Sequence, residues 1–75
     1  MDWNTIQNGW NEYEGDAKLQ WGKLSEDQIK ATQGHRDHLS ARLQEVYAVS
    51  AEEAERQIAE WQGKQTEKPA PGLTN

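Results

Sequence analysis

The chain has 75 residues, 13 Asp and Glu against 8 Lys and Arg for a formal net charge of −5, and no cysteine. That length makes one domain with a small core, burying about 60% of the surface exposed on unfolding. The missing cysteine excludes thiolate catalysis, zinc–cysteine sites, disulfides and a thiol switch.

Mean hydropathy is −1.16, a value at which composition alone points towards disorder. Four Trp and two Tyr oppose it, since each ring buries roughly 150–250 Å² when packed. No apolar run approaches the ~20 residues that cross a bilayer. The opening Met1-Asp2-Trp3-Asn4 lacks the basic and apolar regions of a signal peptide. The sequence is therefore read as a cytoplasmic protein without membrane contact.

Trp3, Ile6, Trp10, Tyr13, Ala17 and Trp21 come first along the chain. At helical period they fall within an arc of roughly 80°, a narrow stripe on one continuous helix over 3–21. Asp2 is its candidate N-cap, and Gly22 can supply the left-handed residue that stops it. Gly15 lies off the stripe and costs about 1 kcal/mol there without breaking the apolar face.

Ser25-Glu26-Asp27-Gln28 then reads as a capping box, with Leu24 and Ile29 as the hydrophobic staple. It predicts a second helix running to about Gln33 and stopped by Gly34. A third covers about His35 to Val46, with Leu39, Leu43 and Val46 or Tyr47 on one face. Ser50-Ala51-Glu52-Glu53 reads as a further capping box, with Val49 and Ala54 as its staple. The fourth helix carries Ala54, Ile58 and Trp61 and is expected to end at Gly63. Trp21-Gly22-Lys23-Leu24-Ser25 is faintly echoed by Tyr47-Ala48-Val49-Ser50, as two helical hairpins would produce. Lys64 to Asn75 lacks periodicity and holds Pro69 and Pro71, which predicts a disordered tail. The expected fold is all-α: a four-helix bundle of two packed α-hairpins over 1–63, first helix longest, followed by a flexible tail over 64–75.

His35 and His38 are three apart on one helix, but Asp37 points elsewhere, and a metal needs further ligands. Ser25 and Ser50 read as caps, and Ser40 has no identified base, so no hydrolytic triad is expected. Glu52 and Glu53 are adjacent carboxylates in a chain too small to separate their pKa values in a dry pocket. The glycines stand singly, so no phosphate-cradling loop is expected. The sequence thus predicts no catalytic residue, no cofactor site and no metal site.

Nucleic acid would require cations gathered on one face. Glu14–Lys18, Glu26–Lys30, Glu52–Arg56 and Glu60–Lys64 instead stand four apart, an orientation that favours pairing within a helix by ~0.2–0.5 kcal/mol each. Lys23, Arg36 and Arg42 remain as a minor patch. The aromatic stripe is read as core, with Trp3 the ring expected to stay exposed near a fraying end.

Five stretches stand out together: Asn8-Gly9-Trp10, Trp21-Gly22-Lys23-Leu24-Ser25-Glu26-Asp27, Gly34-His35-Arg36-Asp37-His38-Leu39, Gln44-Glu45-Val46-Tyr47, and Glu53-Ala54-Glu55-Arg56-Gln57-Ile58 with the closing Trp61. In order and spacing they resemble the CsbD family of bacterial general stress-response proteins. The likeness covers about residues 3 to 62. It departs at His35, where a basic residue is expected, and at Ala41, where the family often has glycine. The resemblance implies a helical bundle and a stress-induced, non-enzymatic protein acting by non-covalent interaction, with no catalytic residue, cofactor or established partner. The alternatives are a hydrophilin-like protectant in osmotic or desiccation stress and a nucleic-acid-binding regulator. A monomer is expected; a protein partner is left open.

Overall fold

The computed structural model describes residues 2–65. Five helices run in order: α1 (Trp3–Asn8), α2 (Trp10–Gln20), α3 (Glu26–Thr32), α4 (Arg36–Tyr47) and α5 (Ala51–Lys64). No strand occurs among the described residues. Helix α2 packs on α3, α4 on α5, and α3 joins the two hairpins through α4. The all-α bundle agrees with the helices that the periodicity predicts and with the two packed hairpins that the resemblance implies.

One correction concerns the first helix, which is two helices. Gly9 takes φ −109° and ψ 32°, and Glu12 N–H turns back to the Gly9 carbonyl at 2.8 Å, a three-residue step. The break leaves α5, at 14 residues, as the longest uninterrupted helix. Gly15, the glycine expected to weaken this region, sits inside α2 with open space around it. Asn8-Gly9 carries the missed signal, since Asn-Gly pairs mark turns.

The helix ends also differ in detail. Helix α2 stops at Gln20 without help from a left-handed Gly22; Lys18 Nζ instead donates to the Gly22 and Leu24 carbonyls at 2.9 and 2.8 Å. The Ser25 box forms in both directions: Gln28 N–H donates to Ser25 Oγ at 3.1 Å and Ser25 N–H to Gln28 Oε1 at 2.9 Å. Helix α3 ends through two left-handed residues, Gln33 at φ 52° and Gly34 at φ 78°. A Cβ on Gly34 would lie 2.9 Å from Gln7 Cα, so glycine also permits α1 to approach this turn.

The second box is half made. Ser50 Oγ accepts from Glu53 N–H at 3.1 Å, but the Glu53 carboxylate turns to Arg56 and Gln57 instead of reaching back. Helix α5 passes through Gly63 and ends after Lys64, with Gln65 as C-cap. Gly63 is thus not the stop, and the first two residues of the expected tail belong to the helix and its cap. The remainder of that tail, 66–75, lies outside the described residues.

The core is one cluster of Ile6, Trp10, Tyr13, Ala17, Trp21, Leu24, Ile29, Leu39, Leu43, Ala54, Ile58 and Trp61. Every member of the first stripe except Trp3 is buried. Val46 and Tyr47 both pack against it half-buried, so the expected choice between them does not arise.

Candidate functional site

Indoles gather where α1, α2 and α5 meet. Trp61 stands at the centre, its ring centroid 5.9 Å from Trp3, 6.1 Å from Trp10 and 5.4 Å from Trp21. The tilted and edge-on geometries suit the ring quadrupoles. Polar edges are satisfied as well: Trp10 Nε1 donates to the Ile29 carbonyl at 3.0 Å and Trp21 Nε1 to Gln57 Oε1 at 3.1 Å. Each indole thereby ties α2 to another helix or its neighbour.

Trp3 corrects the expectation of an exposed ring. It is half-buried, its Nε1 donates to the Gly34 carbonyl at 2.8 Å, and Arg36 lies over its face at 5.3 Å. Arg36 in turn reaches α5, donating to Glu55 at 2.8 Å and to Gln62 Oε1 at 2.7 Å. A second tie from α1 runs between Gln7 Nε2 and His35 Nδ1 at 3.2 Å, with the imidazole nitrogen accepting.

His35 and His38 come together edge to face at 5.1 Å, and no group of three or more His, Asp or Glu able to hold a metal assembles among the described residues. Ser40 is buried and its hydroxyl accepts from Gln44 Nε2 at 3.2 Å. Lys23 lies over the Tyr47 ring at 5.4 Å, and its backbone N–H donates to Tyr47 Oη at 3.1 Å. The two echoing connectors therefore touch, one clamping the other. Lys23, Arg36 and Arg42 each meet a different partner, Arg42 pairing with Glu45 at 3.0 Å.

None of the four predicted pairs is among the ion pairs of the described residues, although Arg42–Glu45, Arg56–Glu53 and Arg56–Glu60 do lie along single helices. Lys30 crosses from α3 to Glu14 on α2 at 3.0 Å, which raises its pKa above the ordinary lysine value. Lys18 reaches the Gly22 and Leu24 carbonyls of the connector beyond α2, and Arg56 pairs with Glu53 and Glu60. The Arg56 hydrogen bond, then that from Gln57, holds the Glu53 carboxyl down at about 2. The same contact raises the Arg56 guanidinium further. Intrahelical spacing cannot reveal the Lys30–Glu14 pair, because it depends on how two helices are laid side by side.

A surface groove of about 370 Å³ lies between α3 and α4, lined by Ala31, Thr32, His38, Ala41, Arg42 and Glu45. Its only hydroxyl, on Thr32, already donates to the Ile29 carbonyl at 2.7 Å. Arg42 and Glu45 neutralise one another across one wall. The groove offers contact and hydrogen bonding.

Fold and surface together define a small helical bundle closed over an indole cluster, with several of its ionic groups bridged between and along helices. Sequence comparison then places it among known proteins. The chain is 38% identical over 58 residues to a UPF0337 protein of Nitrosomonas europaea, a match covering 77% of this chain and 62% of that protein, under two thirds of its length. It is 37% identical over 62 residues to a UPF0337 protein of Pectobacterium atrosepticum, covering 83% and 90%. To the UPF0337 protein YjbJ of Escherichia coli it is 36% identical over 53 residues, covering 71% and 77%. The chain belongs to the UPF0337 family, the CsbD-like proteins. No family model matches it, and no solved structure does.

Proposed function

We propose that the protein is a cytoplasmic stress-response factor of the CsbD type that acts by non-covalent contact and catalyses no reaction. The stress role rests on the family likeness. The reading without chemistry is supported by one observation: four hydroxyls and the three arginines are engaged within the fold. Ser25 and Ser50 cap helices, Thr32 and Ser40 are bonded within the fold, and Arg36, Arg42 and Arg56 sit in ion pairs. No helix among the described residues is long and apolar enough to cross a membrane.

Crosslinking in cells before and after osmotic or stationary-phase stress, with the protein quantified at each point, tests this reading. A rise in abundance and one reproducible crosslinked partner are expected. Constant abundance and no partner contradict it. The acidic, hydrophilic composition favours a second reading, bulk protection of other proteins during drying. A labile enzyme dried with this protein would then survive better than with an inert protein of equal mass; equal survival rejects that reading. Binding to nucleic acid predicts a mobility shift that weakens steeply with salt, and its absence at physiological salt excludes a regulator of that kind.

A further inference from the structure

Sequence period and backbone disagree at one residue. The stripe from Trp3 to Trp21 keeps helical register straight through Gly9, as though the helix were continuous, yet the chain bends there. Gly9 ψ lies about 70° from the helical value. Restoring helical dihedrals at this residue swings α1 away from the bundle and fuses α1 and α2 into one helix over 3–20.

Little besides side chains holds α1 down. It is six residues long, Asp2 makes no side-chain cap bond, and no acidic residue stands in its first turn. Its anchors are buried Ile6, the Trp3 ring against Trp10 and Trp61, the Trp3–Gly34 and Gln7–His35 hydrogen bonds, and Arg36 over Trp3. None of them requires that α1 belong to the same chain, because along the backbone Gly9 alone connects α1 to α2.

We propose that α1 exchanges between two copies of this chain, Gly9 straightening so that Trp3 and Ile6 of each copy seat against Trp10, Trp61 and the 33–35 turn of the other. The indole seat that opening would expose is refilled by an identical helix. The exchange is reciprocal and closes with two-fold symmetry, the usual low-cost route to a swapped dimer. The continuous helix adds hydrogen bonds across residue 9 that the bent form lacks. The monomer expected from the sequence is then the closed form, and crowding of the protein shifts it to the open pair.

Sedimentation equilibrium on the full chain and on Gly9→Ala, refolded across a concentration series, reads the dimerisation constant. Alanine favours an interior helical position over glycine about fivefold per chain, hence about twenty-five-fold for the two hinges of a dimer. A Cβ at residue 9 meets Thr5 O at 3.6 Å and Tyr13 Cε2 at 3.7 Å, ordinary contact distances that leave the closed form intact. Gly9→Ala is therefore expected to dimerise more tightly by that order. In a sample mixing labelled and unlabelled copies, nuclear Overhauser contacts should link Trp3 of one chain to Trp61 of the other. Adding Trp3→Ala to Gly9→Ala removes the same seat from closed and exchanged forms alike, so both should lose stability while the dimer remains tighter than that of the Gly9 chain carrying Trp3→Ala. The proposal is overturned if neither protein dimerises, if Gly9→Ala is no tighter than the unsubstituted chain, or if the Trp3–Trp61 contacts stay within one chain.

Discussion

Helices α1 and α5 lean on the same indole cluster but are held in different ways. Helix α5 is 14 residues long, begins at a bonded Ser50 cap and delivers buried Ala54, Ile58 and Trp61 to the core from one unbroken face. Helix α1 has six residues, no side-chain cap bond and one fully buried side chain, Ile6. A six-residue helix is far below the length at which helices persist alone in water, so α1 owes its conformation to its anchors. The contrast teaches that a core residue's worth depends on how many elements it ties together. Trp61 touches three indoles, whereas Trp3 fastens one short helix.

The sharpest way to break this contrast is to cut each anchor to alanine. Trp61→Ala removes a 2% exposed indole and is expected to cost about 3–5 kcal/mol in denaturant unfolding, enough to unfold a domain this small. Trp3→Ala is expected to cost about 2 kcal/mol or less, from partial burial, one hydrogen bond and one cation–π contact. Equal losses would mean that α1 is as integral as α5. Gly34→Ala comes next: the left-handed backbone and the 2.9 Å approach to Gln7 Cα act together, for an expected loss of about 2 kcal/mol. Its thermal midpoint should fall, and the Trp3 indole should become more accessible to quencher, while Trp61 stays shielded.

Acid sharpens the comparison from the α5 side with a smaller effect. The folded Glu53 carboxyl is held at about 2 by Arg56 and Gln57, below the ordinary glutamate value of about 4.3. Its stabilisation is therefore complete above the ordinary value and is lost as pH falls towards 2. Glu53→Gln should flatten the acid limb of the thermal midpoint in that window. An unchanged limb would show that the Arg56 pair contributes nothing at this exposed site.

Most of the fold was readable because it is written in local rules. The apolar stripe, the Ser25 box and the Ser50 cap each depend on residues within a few positions of one another. The bend at Gly9 is hidden because the stripe's period runs through it undisturbed, and the Asn8-Gly9 pair is the one local signal of it. Gly63 misled for the opposite reason: exposed, with open space around it, it costs the end of α5 little. The surface was less legible. Lys30–Glu14 and Arg36–Glu55 join residues 16 and 19 apart, and the Trp3 latch closes over 31. Such contacts exist only after the helices have been packed, so no spacing rule anticipates them.

Native-state amide hydrogen exchange tests most directly whether one indole core holds two helices unequally. The amides around Ile58 and Trp61 in α5 should exchange only when the whole domain unfolds. Those of Ile6 and Gln7 in α1 should open at a clearly lower free energy, with denaturant dependence showing little exposed surface. Protection of α1 equal to that of α5, lost in the same global step, would contradict the account.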